Sequence, residues 1–114
     1  MKSLNLCSLR DIYRLIKNFE IQFQQEHGLC LNEGMLLCGL SAGKHTSTEI
    51  AEMLGLTCSN ASKVIKSVEN KGFVERLLGA DDKRQMYFSV SASGRIKLEE
   101  LKCEETTVAV VLEN

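Results

Sequence analysis

Proline and tryptophan are absent from the 114 residues of this chain, and aromatic side chains account for only 5% of it. Since proline-rich and low-complexity stretches are missing, the sequence shows no linker and predicts a single domain over residues 1–114. No apolar run approaches the roughly 18 residues that a membrane helix needs, and the start, MKSLNLCSLRD, lacks the apolar core of a signal peptide. The sequence therefore predicts a cytoplasmic protein that has no membrane partner.

Paired cysteine motifs are missing as well. The chain has five cysteines, an odd number, and none of them forms a CxxC pair, which argues against a disulfide framework and for a reducing compartment. Its cysteines and two histidines match no zinc-ligand spacing, and Cys38 is expected to face the core, so we predict no metal or other cofactor. A redox role for Cys7, just before the first predicted helix, stays open.

Catalytic motifs and a large excess of one charge are also lacking. The sequence has no Gly-rich phosphate loop and no nucleophile elbow, and its adjacent acidic pairs point apart on a helix or strand, so an enzyme is not expected. The net charge of −1 argues against indiscriminate binding to nucleic acid. Basic side chains are nevertheless in local excess from Thr57 to Val90, where there are six of them and four acidic ones.

What the sequence does contain begins with helical periodicity. Ser8, followed by Asp11 at the spacing of a capping box, predicts the start of a first helix, and His27-Gly28 predicts its end. Asn32 predicts the start of a second helix that stops near Gly43. Both segments carry apolar residues at helical spacing, so each helix is expected to bury one face.

A helix–turn–helix pattern follows. The segment Thr46-Ser-Thr-Glu49 is a capping box that predicts a short helix from Ser47 to Leu54, and Gly55 predicts its end. Thr57 predicts the start of the next helix, which runs to Lys71-Gly72. Its apolar residues recur at i, i+3, i+4 and i+7 and are Ala61, Val64, Ile65 and Val68. Two helices joined by a glycine-containing turn are therefore expected.

A charged hairpin and a last helix complete the pattern. Alternation over Met86–Val90 predicts a half-buried strand and Phe73–Leu78 its partner, and the tip between them carries Asp81, Asp82, Lys83 and Arg84. Ser91 predicts the start of a last helix, and the β-branched run Thr106–Leu112 is expected to be helical only if packing holds it. The predicted fold class is mainly α with a small β-hairpin wing (α+β), a winged helix-turn-helix.

The second helix of the pair has a polar face that suits a DNA groove. A B-DNA major groove admits one α-helix, and small hydroxyls, amides and lysines on that helix can approach base edges and phosphates. The residues of this kind are Ser59, Asn60, Ser62, Lys63, Lys66 and Ser67. A merely solvated surface helix has the same composition, but the short helix before it and the hairpin after it favour double-stranded DNA as the partner.

The stretch from about Leu31 to Leu98 resembles the MarR family of bacterial transcriptional regulators. The resemblance lies in TSTEIAEMLGLTCSNASKVIKSVENKGFVER (46–76), in the tip Asp82-Lys83-Arg84, and in VSASG (90–94), which stands where the family has Leu-Thr-x-x-Gly. It implies that Lys83 and Arg84 bind DNA, with Arg84 in a minor groove and oriented by Asp82; a plain surface ion pair of these two is the alternative. Arg76 is expected either to face the DNA backbone or to pair with an acid of the wing.

The resemblance also implies a sequence-specific transcriptional repressor that binds a pseudo-palindromic operator as a homodimer. Residues 1–30 and 91–114 would supply dimerisation helices around a winged helix over 31–90, and a small-molecule effector, which family members often have, stays unidentified. Because the chain is shorter than most of the family, the dimer is expected to be smaller, built differently, or completed by the C-terminal tail. The alternative function is a winged-helix module that binds proteins and does not bind DNA by itself.

Overall fold

Two units make up the structure, a computed structural model that describes residues 5–81 and 84–101. The first unit covers residues 1–31 and the second covers 32–114. The residues of the predictions that lie outside the described ranges are Asp82, Lys83, and the part of the predicted dimerisation segment 91–114 that follows residue 101, including Thr106–Leu112. None of the helices in the described ranges has both the length and the apolarity needed to cross a membrane.

Helix α1 (Leu6–His27) makes up most of the first unit. Its N-cap is Asn5, whose side-chain oxygen accepts the backbone N–H of Ser8 at 2.8 Å. The predicted start at Ser8 is therefore wrong, because the asparagine that precedes the helix already satisfies an N–H group of its first turn. Gly28 ends the helix as predicted, with a positive φ of 70° that glycine adopts without strain.

Helix α2 (Leu31–Gly39) leads into the second unit. It begins one residue before the predicted cap Asn32, and it ends before Gly43 because the chain continues into a turn that the Gly43 N–H closes on the Leu40 carbonyl. The expectation that Cys38 faces the core is wrong, since this side chain is exposed. The inward face of α2 carries Leu36 and Leu37 instead.

Helices α3 (Ser47–Leu54) and α4 (Cys58–Asn70) begin where the sequence predicts. Thr46 and Glu49 form the predicted capping box: the Thr46 N–H donates to Glu49 Oε1 at 2.8 Å, and the Glu49 N–H donates to Thr46 Oγ1 at 3.2 Å. These bonds satisfy two groups that the end of a helix would otherwise leave free. Thr57 caps α4 in the same manner through its hydroxyl.

The predicted hairpin is present as strands β1 (Val74–Leu78) and β2 (Met86–Val90), which pair antiparallel over their full length. Phe88 and Val90 point into the core, as the alternation of β2 predicts. His45, just before α3, also pairs with Phe88 through two backbone hydrogen bonds of 2.8 and 3.1 Å. The sequence did not predict this third segment, which ties the hairpin to the start of the helix–turn–helix.

The last helix, α5, is described over residues 92–101. Ser91 caps it as predicted, because its hydroxyl accepts the Gly94 N–H at 3.1 Å. The Ser91 hydroxyl also donates to the carbonyl of Gly72 at 2.6 Å, and the Ser93 hydroxyl donates to the same carbonyl at 2.8 Å. The VSASG segment therefore fixes the start of α5 to the turn that follows α4.

One apolar core holds the second unit together. Every helix and both strands of this unit contribute to it, and its buried apolar members are Leu36, Leu37, Leu40, Ile50, Ala51, Ala61, Ile65, Val68, Val74, Phe88, Val90, Leu98 and Leu101. Removal of these side chains from water is the main favourable contribution to folding. The predicted fold class is confirmed: helices precede and follow a two-stranded antiparallel wing, in the order of a winged helix-turn-helix.

Candidate nucleic-acid interface

The turn between α3 and α4 sets the direction in which α4 leaves the core. Gly55 takes a φ of 67°, and the next N–H, that of Leu56, donates to the Ala51 carbonyl at 2.9 Å. This is a Schellman-type ending, which favours glycine because its φ is positive. The chain can therefore reverse within a few residues and start α4 at Cys58.

Helix α4 keeps a polar face outside the core. Its buried residues are Ala61, Ile65 and Val68, which lie on one side of the helix. The exposed residues that we call the polar face of α4 are Ser59, Asn60, Ser62, Lys63, Lys66 and Asn70. Five of the six residues that the sequence predicted for α4 therefore lie on an open surface, free of bulky apolar groups.

Ser67, the sixth predicted residue, points elsewhere. Its side chain is half-buried, and its hydroxyl donates to Glu33 Oε2 of α2 at 2.8 Å. Lys71, directly after α4, donates through Nζ to both oxygens of the same carboxylate, at 2.9 and 2.8 Å. A contact between Ser67 and DNA stays a prediction, but in this structure the hydroxyl is engaged with α2.

Arg76 on β1 pairs with an acid, although not with one of the wing. Its Nε and a terminal guanidinium nitrogen donate to the two oxygens of Glu69 on α4, at 2.6 and 3.0 Å, and its guanidinium lies 5.6 Å from the centre of the Phe88 ring. The hydrogen bond from Arg76 holds the pKa of Glu69 below its ordinary value, and the carboxylate in turn raises the pKa of Arg76. This bidentate pair joins the end of α4 to the wing.

The wing continues one step beyond its strands. The Gly79 N–H donates to the Gln85 carbonyl at 2.8 Å, so the ladder closes just below the tip. Arg84 lies in the tip and is exposed. Asp82 and Lys83 lie outside the described residues, so the proposed orientation of Arg84 by Asp82 stays a prediction.

Lys44 was not among the predicted residues but lies at the base of the wing. Its Nζ is 4.6 Å from the centre of the Tyr87 ring on β2, a distance at which a cation is attracted to the face of the ring. An open cavity of about 310 Å³ lies beside them, lined also by Gly79, Ala80, Asp81 and Gln85. No pattern local to Lys44 indicated this position, because the pairing of His45 with Phe88 is what brings it to the wing.

The described residues contain no cluster that is suited to a metal ion. Among residues 5–81 and 84–101, no group of three or more His, Cys, Asp or Glu side chains could hold a metal ion. Cys7 and Cys58 are exposed thiols at the starts of α1 and α4, and a redox role for Cys7 stays a prediction. The polar face of α4 and the wing therefore form the candidate site.

Comparison with known proteins points to the same part of the chain as the candidate site. The family model described as "MarR family" matches residues 34–86, which run from α2 to the first residue of β2. The uncharacterized HTH-type transcriptional regulator YwaE of Bacillus subtilis (strain 168) is 28% identical over 109 residues, a match that covers 89% of this chain. The chain spans 64% of the length of that relative.

Solved structures share the fold. The transcriptional regulator BldR from Sulfolobus solfataricus is 24% identical, with a TM-score of 0.78 over 95% of this chain and 77% of that protein. MepR of S. aureus, in its complex with DNA, is 22% identical, with a TM-score of 0.77 over 98% of this chain and 86% of that protein. At these identities the likeness establishes the winged-helix fold.

Proposed function

Since residues 34–86 of this chain are a MarR-family segment within a winged helix-turn-helix, we propose that the protein is a transcriptional regulator that binds double-stranded DNA in a sequence-specific way. The observation that carries this proposal is the polar face of α4, which is exposed while the opposite side of the same helix is buried. A helix of this kind fits the major groove, where each base pair presents a distinct pattern of donors and acceptors.

The residues of the polar face of α4 suit two kinds of contact with DNA. Ser59, Asn60 and Ser62 are short and can approach base edges, where hydroxyls and amides give hydrogen bonds that depend on sequence. Lys63 and Lys66 are long and positively charged, which suits phosphates or the acceptors of guanine. Helix α3 would cross the backbone and hold α4 in place, as the first helix of such a pair does.

The wing adds a contact in the adjacent minor groove. A narrow minor groove concentrates negative potential and attracts a guanidinium group, which is the role we propose for Arg84. Lys83 would bind phosphate, and Asp82 would limit the rotamers of Arg84 so that it loses less conformational freedom on binding. The ion pair of Arg76 with Glu69 favours a supporting role for Arg76, which joins the wing to α4 rather than contacting the DNA backbone.

A homodimer is the form that we propose to bind DNA. Helix α1 has apolar side chains exposed at helical spacing, with Leu9 at 47%, Tyr13 at 61% and Ile16 at 45%. A contiguous exposed apolar surface marks an interaction site, and a second copy would cover it with two-fold symmetry. The operator would then be a pseudo-palindrome with half-sites about 34–36 Å apart, one turn of DNA.

Repression is the outcome that we propose for operator binding. A dimer that covers an operator within a promoter excludes the proteins that start transcription, so binding alone is sufficient. The cytoplasm is the matching compartment, since the DNA of the family's bacterial members lies there. The helix-turn-helix regulator YwaE and the DNA complex of MepR support a role in transcription for the common fold.

The decisive experiment is selection of bound sequences from randomised duplex DNA at two salt concentrations. Wild type is compared with Arg84→Ala and with Lys63→Ala/Lys66→Ala, and Arg95→Ala on α5 serves as a control for the loss of an exposed basic side chain. We expect wild type and the control to enrich a two-fold-symmetric site, and both test variants to bind it more weakly, with strong dependence on salt. If the folded dimer enriches no sequence, DNA binding by this protein alone is refuted.

A second candidate function is a protein-interaction module. The observation that favours it is the apolar surface of β1, where Leu77 and Leu78 are 40% and 60% exposed. In that case Leu78→Ser would abolish partner binding, whereas Lys63→Ala/Lys66→Ala would leave it unchanged. If the lysine variant loses DNA binding while Leu78→Ser binds DNA as wild type does, the protein-interaction module is rejected.

A further inference from the structure

Glu33 is a buried carboxylate that the DNA-binding proposal does not use. It lies in the first turn of α2, and only 4% of its surface is exposed. Charged residues are almost never buried to this degree unless they are paired, because loss of hydration disfavours the charged form. Its position therefore requires an explanation from its partners.

Two of those partners lie at the end of α4. Ser67 Oγ donates to Glu33 Oε2 at 2.8 Å, and Lys71 Nζ donates to both oxygens at 2.8 and 2.9 Å. Ser67 lies in the last turn of α4, and Lys71 follows four residues later, directly after the helix. Residues four apart lie on the same side of a helix, so Glu33 contacts the C-terminal end of α4 at two neighbouring positions. We call this group, Glu33, Ser67 and Lys71, the carboxylate clasp.

Stability alone is a poor explanation for the clasp. The cost of removing the Glu33 carboxylate from water can cancel its attraction to Lys71, and apolar pairs of similar volume are often as stable or more stable. What hydrogen bonds add to an apolar contact is direction, because burial of apolar surface depends on area and not on angle. The buried side of α4 consists of Ala61, Ile65 and Val68, which are apolar and supply no directed bonds of this kind.

We propose that Glu33 is a positioning residue for DNA recognition: through the clasp it fixes the rotation of α4 and thereby the direction of its polar face. The proposal rests on the DNA-binding function proposed above. A helix with side chains has a radius of about 5–6 Å, so a rotation of about 15° would move its surface by about 1.5 Å. Hydrogen-bonding groups of a binding site must be held within about 0.5 Å, so a rotation of this size would disturb base contacts.

The other flank of α4 provides a contrast. Glu69 there pairs with Arg76, but these side chains are 25% and 54% exposed, whereas the Glu33 side chain is 5% exposed. An exposed pair can rearrange and is weakened by water and salt. In the clasp the Lys71 side chain is 36% exposed, but the Glu33 carboxylate is buried and is held by Ser67 and Lys71 together, which is why we assign the positioning role to Glu33.

The test uses two clasp variants and one control in the full chain. Glu33→Gln removes the charge and keeps the shape, and Glu33→Leu/Lys71→Leu removes both charges and keeps apolar volume. Glu100→Gln removes the same charge from an exposed pair with Lys97 on α5, so it controls for the general effect of lost negative charge on DNA affinity. For each protein we would measure the unfolding temperature, the affinities for the selected operator and for random duplex DNA, and the NOEs between side chains of α2 and α4.

We expect the double-leucine variant to stay folded, with an unfolding temperature near that of wild type. Its preference for the operator over random DNA should fall about tenfold, which is the discrimination typical of one base contact. Affinity for random DNA and its salt dependence should change little, since Lys63 and Lys66 remain. The NOEs between α2 and α4 should change in this variant, and Glu100→Gln should match wild type in every measurement. Either an unchanged operator preference or unchanged NOEs in the folded double-leucine variant would overturn the proposal.

The NOE measurement separates the two proposals. If wild type shows no preference for any sequence, the DNA-binding function fails, and the NOEs still report whether the clasp fixes α4. Unchanged NOEs in the double-leucine variant would then reject the positioning role as well. Changed NOEs would show that Glu33 orients α4, and the polar face would then serve a partner other than DNA.

Discussion

Gly94 on α5 is the position where a single methyl group should be least tolerated. A Cβ atom at this glycine would meet the backbone carbonyl oxygen of Phe73 and would lie 2.7 Å from Val90 Cγ1. That carbonyl also accepts the Ser91 N–H at 2.9 Å, and the neighbouring Gly72 carbonyl accepts the hydroxyls of Ser91 and Ser93. The backbone at this contact therefore cannot retreat without loss of the bonds that fix α5.

The cost of Gly94→Ala follows from two opposing effects. Overpacking in a close-packed core costs about 1–3 kcal/mol, and the upper part of that range applies where the obstacle is backbone. Alanine recovers up to about 1 kcal/mol through its better helix propensity. A net loss of about 1–2 kcal/mol remains, which corresponds to a fall of about 4–8 °C in the unfolding temperature for a domain of this size.

The assay is thermal and urea unfolding of three glycine-to-alanine variants. At Gly43 a Cβ atom would meet nothing within 4 Å, so Gly43→Ala controls for the change in the unfolded chain. At Gly39 a Cβ atom would meet the thioether of Met53, the far end of a flexible side chain that can move aside. We expect Gly94→Ala to be the least stable, Gly39→Ala to be intermediate, and Gly43→Ala to stay within about 0.5 kcal/mol of wild type.

Equal stability of Gly94→Ala and Gly43→Ala would refute this reasoning, because it would mean that the turn after α4 and the start of α5 are not in rigid contact. The DNA-binding measurement adds a second readout. The same turn precedes β1, so a shifted turn should also weaken any contact that depends on the wing.

Three further predictions concern the caps, the ion pair and the polar face. Thr46→Ala should cost about 1 kcal/mol of folding free energy in urea titrations, whereas Thr48→Ala within α3 should not; equal effects would reject the capping role. Because Arg76 lowers the pKa of Glu69, their pair stabilises the fold above the ordinary carboxyl value of 4.5 and is lost as the pH falls below it. The difference between the melting curves of wild type and Glu69→Gln should therefore be full near neutral pH and shrink as the pH falls below 4.5, and a constant difference would contradict this. Lys66→Ala should reduce the slope of log affinity against log salt by about 0.9, while Arg95→Ala leaves it unchanged; equal slopes would exclude a phosphate contact.

The sequence alone predicted the local features well because each depends on residues close together in the chain. A capping box needs only Thr46 and Glu49, a helix end needs only a glycine such as Gly55, and the alternation of β2 is visible in five letters. The errors were of the same local kind. Asn5 caps α1 in place of Ser8 because the helix already begins at Leu6, which puts Ser8 inside its first turn.

Only the tertiary structure decided which polar residues meet across the fold. Glu33 and Lys71 are 38 residues apart, and no periodicity links them, although an acid at the inward spacing of Leu36 and Leu37 was a signal that could have been noticed. The pairing of His45 with Phe88 was equally invisible, because backbone hydrogen bonds between distant segments leave no mark in side-chain pattern. Local propensity therefore determined the helices and strands of this protein, whereas packing determined the orientation of α4 and the partners that hold it.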